Sequence, residues 1–118
     1  MNSADIEDLF APIGEVKIKR MFGGRGVYLD GLIFAIEAYG ELYMKTDGDT
    51  RDLFRDAQSV PFVFESKRGK VATSYWRLPA SAFDDEDALR HFTGLAVACA
   101  QRADEAKKRK PKRGRKGD

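Results

Sequence analysis

Arg20-Met21-Phe22-Gly23-Gly24-Arg25-Gly26-Val27-Tyr28-Leu29-Asp30-Gly31 decides how this chain is read. Three glycines within four positions interrupt an apolar-alternating pattern, and Asp30-Gly31 has the composition of a tight two-residue hairpin turn. Upstream, residues 16–22 place Val16 and Ile18 on one side and Lys17 and Lys19 on the other, the pattern of a half-buried strand. Downstream, residues 27–30 and 32–38 read as strands joined by Asp30-Gly31. Tyr39-Gly40 then turns the chain into a further strand at 42–46. These four strands form a meander.

Working outward, Ile6, Leu9, Phe10 and Ile13 follow the spacing of one helical face. Asn2 or Ser3 caps its start, and Pro12 and Gly14 end it near residue 11. Residues 50–57 read as a short helix capped by Asp49. Residues 62–66 and 71–78 form a hairpin across Lys67-Arg68-Gly69-Lys70, closed by Pro79. The last element is a helix over 85–106, capped by Asp84 with acids in its first turn. Its apolar stripe of Ala88, Leu89, Phe92, Leu95, Ala96, Cys99 and Ala103 is about 120° wide. Strands grouped in this way, instead of alternating with helices, predict an α+β fold. It has two layers, an antiparallel sheet made of the four-strand meander plus the hairpin, and helices on one face, in the order α-β(4)-α-β(2)-α.

The chain of 118 residues makes one domain, with 42% apolar residues and one cysteine, which excludes an internal disulfide and a cysteine-based zinc site. No run approaches the ~20 apolar residues of a membrane span. Asp5, Glu7 and Asp8 stand where an export signal would be basic, so a cytoplasmic setting is expected. The net charge of +2 hides a division. Through residue 106 there are thirteen Lys and Arg against eighteen Asp and Glu, net −5; from Lys107 onward eight cations face Asp118 alone, net +7. The expected organisation is a domain over 1–106 and a disordered basic tail over 107–118.

Few residues suggest chemistry. The glycine cluster with Arg25 could cradle an anion, but a strand follows it where a helix N-terminus or a P-loop lysine would be needed. A turn or bulge using glycine's backbone freedom is the favoured reading. Tyr28, Tyr43, Tyr75 and Trp76 lie on strands near Arg20, Lys45 and Arg77, the ingredients of a base-stacking sheet. The acidic body opposes that reading and favours core or cross-strand packing. His91, the single histidine, falls on the flank of the last helix without a catalytic companion, and Cys99 falls on its apolar stripe. The run Asp84-Asp85-Glu86-Asp87 is explained by helix capping and lacks a calcium-loop pattern. No catalytic, cofactor-binding or metal-binding set is expected. The tail cations Lys107, Lys108, Arg109, Lys110, Lys112, Arg113, Arg115 and Lys116 either solubilise the domain or give weak, non-specific nucleic-acid contact through phosphates.

The glycine stretch, together with Ser74-Tyr75-Trp76-Arg77-Leu78-Pro79, resembles the N-terminal domain of the TfoX/Sxy family of bacterial competence regulators, over residues 3–103. The signature falls on Arg20, Met21, Phe22, Gly23, Gly24, Arg25, Gly26, Tyr28, Asp30, Gly31, Tyr75 and Trp76, as a structural or partner-binding loop. The resemblance implies the same two-layer α+β fold. It also implies a non-enzymatic accessory role in transcription through a protein partner, either the transcription machinery or a DNA-binding regulator. In the family that role is linked to the cyclic-AMP receptor protein. Longer members carry a helical C-terminal domain where this chain has its basic segment. The alternative is a non-specific nucleic-acid-binding protein anchored by the tail.

Overall fold

The computed structural model describes residues 1–21 and 23–109; the signature residue Phe22 and the tail positions 110–118 lie outside the described residues. The elements are α1 (Ser3–Phe10), β1 (Lys17–Met21), β2 (Gly24–Leu29), β3 (Leu32–Ala38), β4 (Glu41–Lys45), α2 (Arg51–Asp56), β5 (Pro61–Ser66), β6 (Gly69–Arg77), a 3-10 turn (Ala80–Phe83) and α3 (Glu86–Arg109). All strand pairs are antiparallel in one six-stranded sheet of order β1-β2-β3-β4-β6-β5. The α+β architecture expected from the sequence is the one observed, with the hairpin β5–β6 joined to β4 through β6.

Local chemistry sets each boundary. At the start of α1 the Asn2 side chain accepts the Asp5 N–H at 2.9 Å, and the Asp5 carboxylate accepts the Asn2 N–H at 3.1 Å, a reciprocal capping box. Two of the meander's three hairpin turns need positive φ at both central residues, and have it. Asp30 and Gly31 stand at 52° and 81°, Tyr39 and Gly40 at 54° and 79°. Two expected caps are corrected. Asp85, not Asp84, caps α3, accepting the N–H groups of Asp87 and Ala88, because Asp84 is taken up in closing the 3-10 turn. At α2, Thr50 and not Asp49 is the cap residue, and no side chain caps the helix there.

The register defines two faces. Ile18, Val27, Ala35, Met44, Trp76 and Pro61 are successive cross-strand partners, a single row over all six strands on the helix-covered face. Val27, Ala35 and Met44 are fully buried beneath Ile6 and Phe10 of α1, Phe54 of α2, and Leu89, Phe92 and Ala96 of α3. A bulge leaves Phe34 without a partner in β2, and its ring meets Phe10 edge-on at 5.3 Å. Phe54 and Phe92 make a second aromatic pair at 5.2 Å, tying α2 to α3. Burial along α3 ends at Ala100, so the expected stripe residue Ala103 is exposed: the helix outruns the layer it packs on. It continues to Arg109, which corrects the boundary at 106. Lys107, Lys108 and Arg109 are helical, as suits good helix formers whose cations meet the negative end of the helix dipole, and Lys108 pairs with Asp104 at 3.2 Å.

Candidate functional site

The signature stretch builds the β1–β2 turn and β2, and its glycines have three separate reasons. Gly23 needs its positive φ of 67° in the turn. At Gly24 the chain passes so close to β3 that a Cβ would overlap the Glu37 carbonyl oxygen. At Gly26 a Cβ would press on the side chains of Met21, Tyr28 and Ile33, all near 3.0 Å. Arg25 is not free to receive an anion. Its guanidinium holds the buried Glu37 carboxylate at 2.8 Å, and the second Glu37 oxygen accepts the Gly40 N–H at 3.1 Å. The pair links the β1–β2 and β3–β4 turns, which border a shallow cleft of about 420 Å³ edged by exposed Arg20, Met21 and Tyr39. The anion-cradle reading therefore loses its cation to a structural contact.

The larger feature is the other face of the sheet. Lys19, Gly26, Ile36, Tyr43 and Arg77 are successive partners across five strands, one residue out of phase with the buried row. Flanking rows add Lys17 with Tyr28 and Ile33, and Lys45 with Tyr75. Apart from Gly26, none of these residues is buried, and only Ile33 and Lys45 border the end of α3, at Ala100, Ala103, Asp104 and Lys107. The Lys19 ammonium sits 5.0 Å from the centre of the Tyr28 ring and that of Lys45 5.5 Å from Tyr75. The aromatic surface continues from Tyr43 to Phe62 at 4.8 Å, and from Phe62 to Tyr39 at 6.3 Å and Phe64 at 6.4 Å. Glu41, two residues before Tyr43 on the same strand, is tied to Arg77, whose guanidinium holds its carboxyl below the usual range.

This placement divides the sequence-predicted aromatics. Trp76 packs against the core, whereas Tyr28, Tyr43 and Tyr75 stand on the uncovered face, where burial among their neighbours pushes the Tyr75 hydroxyl upward. Asp30 and Gly31 are turn residues and Arg20 lies opposite Arg25 on the outer strand. The described tail residues Lys107, Lys108 and Arg109 are exposed at the end of α3, where Lys107 borders a small cavity with Leu32, Ile33 and Lys45; Lys110, Lys112, Arg113, Arg115 and Lys116 lie outside the described residues. Glu37, Tyr39 and Phe62 were not singled out by sequence. Their significance comes from which strands become neighbours, and only the Tyr39-Gly40 turn hinted at it.

Elsewhere the strongest electrostatic contact is structural. Asp47 accepts two hydrogen bonds from Arg102 at 2.9 and 3.1 Å, and that guanidinium holds its carboxyl down to about 2 despite some opposing burial. Cys99 is buried beside it, and burial pushes its thiol up to about 11. His91 is exposed with its ring against Phe92. Among the described residues no three His, Cys, Asp or Glu side chains converge on a metal-sized site, and no helix is long and apolar enough to cross a membrane.

A search of curated proteins finds no match. The family model of the TfoX N-terminal domain does match, over residues 8–100, which spans the signature hairpin, the whole sheet and α3 as far as its last buried residue. The chain belongs to the TfoX N-terminal domain family.

Proposed function

We propose that this protein is a non-enzymatic accessory regulator of transcription, working in the cytoplasm by docking a protein partner on the uncovered face of its sheet. The observation that carries this reading is the row Lys19-Gly26-Ile36-Tyr43-Arg77 with its aromatic extension, an apolar surface edged by lysines and left without a helix. Half-exposed apolar surface of this kind, rimmed by charge, marks interaction sites. Its chemistry favours a partner that combines apolar side chains with acidic ones, such as a segment of the transcription machinery or of a DNA-binding regulator. The family name supports the regulatory setting. The titratable groups with the largest shifts, Asp47 and Cys99, are engaged with each other and with Arg102, which supports a role without catalysis.

A second reading is supported by the two lysines placed over Tyr28 and Tyr75, an arrangement suited to stacking and neutralising single-stranded nucleic acid. One experiment separates the two. Tagged wild type and an Ile36→Glu/Tyr43→Ala variant are used as bait with and without nuclease treatment, and bound material is identified by mass spectrometry. A protein captured by wild type in both conditions and lost by the variant supports the docking face. Capture that vanishes with nuclease favours the second reading. Equal capture by wild type and variant rejects both.

A further inference from the structure

The two outer strands of the sheet are finished differently. β1 is guarded, with Lys17, Lys19 and Arg20 exposed along five residues, the usual defence against edge-to-edge pairing. β5 reads Pro61-Phe62-Val63-Phe64-Glu65-Ser66 and its centre carries no such guard. Of nine large exposed apolar residues among those described, Val60, Val63, Phe64 and Val71 belong to this hairpin or its lead-in. Main-chain direction along β5 follows from its contacts. Val60 accepts the Arg77 N–H, Phe62 accepts the Thr73 hydroxyl, and Ser66 pairs with Gly69 across the turn. Alternation then turns the N–H and C=O groups of Val63 and Glu65, and the Pro61 carbonyl, away from β6 into solvent.

We infer that β5 pairs antiparallel with β5 of a second copy of this chain, forming a two-fold symmetric dimer with one continuous sheet. The symmetry axis is assigned by elimination among the registers. Through Glu65 it would set two carboxylates face to face. Through Pro61 it would put a residue with no N–H at the centre, and through Phe62 or Val63 it would face the Val63 or the Glu65 carbonyl, respectively, with that same missing donor. Through Phe64, Val63 of each copy lies opposite Glu65 of the other, and all four outward N–H groups of these residues meet carbonyls. Phe64 then meets its own copy in the close, non-hydrogen-bonded position, beside Phe62 on the uncovered face. No like charges stand opposite one another. A self-complementary contact of this kind closes at two copies.

The dimer contact meets the aromatic extension of the docking surface at Phe62 and Phe64, but its hydrogen bonds are made by β5 alone and need no docking partner. Sedimentation of the full chain at about 100 μM, where a micromolar Kd leaves the dimer dominant, is expected to show two copies. Amide exchange under the same conditions should protect Val63 and Glu65, whose N–H groups would otherwise face water. Phe64→Lys and Phe64→Glu each place like charges across the axis and should weaken association about 100-fold. Mixed in equal amounts, the two variants should pair with each other. A wild type that stays monomeric overturns the proposal, as does a dimer in which Val63 and Glu65 exchange freely. Should either variant misfold, amide exchange in wild type decides alone; should both fold and the mixture remain monomeric, the register is wrong and the inference falls.

Discussion

The Arg25 guanidinium lies 2.8 Å from the Glu37 carboxylate across the β2–β3 ladder, with the Glu37 side chain only 6% exposed. The pair converts the signature arginine from a ligand-binding candidate into a structural brace. Arg25→Ala is therefore expected to destabilise the fold by about 3 kcal/mol, the cost of leaving a buried charge uncompensated. Urea unfolding followed through Trp76 fluorescence measures it. A change below about 0.5 kcal/mol, the range of an ordinary surface substitution, would place the charge in water.

Two adjacent glycines should respond differently. Gly23→Ala meets nothing within 4 Å and strains only the positive φ, for a loss of about 1 kcal/mol. Gly24→Ala drives a Cβ into the Glu37 carbonyl and forces β2 from β3, so its loss should be several-fold greater, or folding should fail. Thermal melts of the two variants rank them. Equal midpoints would mean that the close approach at Gly24 relaxes freely.

That difference marks what the sequence could disclose. Asp30-Gly31 announces its turn because Asp and Gly accept the required backbone angles, and Gly40 marks the next although Tyr39 holds a positive φ that its side chain disfavours. The reason for Gly24 depends on the distance to another strand, and nothing local carries it. Likewise the alternation in each strand is legible, but rows such as Lys19-Gly26-Ile36-Tyr43-Arg77 exist only after strand order and the Phe34 bulge set the register. The summed charge of −5 also concealed a lysine-edged face, because the acids sit mainly on the helices and turns. The end of the last helix was placed three residues early, since a run of lysines and arginines looks equally like a solvated tail.

Thr93 is fully buried on α3, and its hydroxyl has no hydrogen-bond partner among the described residues. The hydroxyl was desolvated without compensation. Thr93→Val keeps the shape and removes the polar atom, so stability should rise by about 1 kcal/mol. A lower melting midpoint in this variant would reveal a partner for the hydroxyl.

Cys99 is buried and its thiol is pushed up to about 11, first by burial and then by the Asp47 charge. Thiolate is the reactive form, so the native protein should react with iodoacetamide at neutral pH far more slowly than the urea-unfolded chain. Comparable rates would show that α3 opens readily from the sheet.

The contact of Asp47 with Arg102 predicts a pH dependence with a definite sign. The Arg102 hydrogen bonds hold the folded carboxyl at about 2 against an ordinary 3.8, so the folded state binds this proton less readily than the unfolded chain. Stability from the contact is accordingly complete above pH 3.8 and lost as pH falls towards about 2, below which the carboxyl is protonated in both states. Arg102→Ala should lower the urea midpoint near pH 6, and the gap from wild type should narrow steadily between about pH 4 and pH 2. The Asp49 N–H at 3.0 Å and the Thr50 hydroxyl at 3.4 Å still donate to Asp47 in the variant, so part of its acid sensitivity should persist. Arg102 and Asp47 are both partly open to solvent, and added salt should shrink the gap at neutral pH. A gap that widens on acidification would mean that Arg102 acts through packing along α3 and not through the carboxylate.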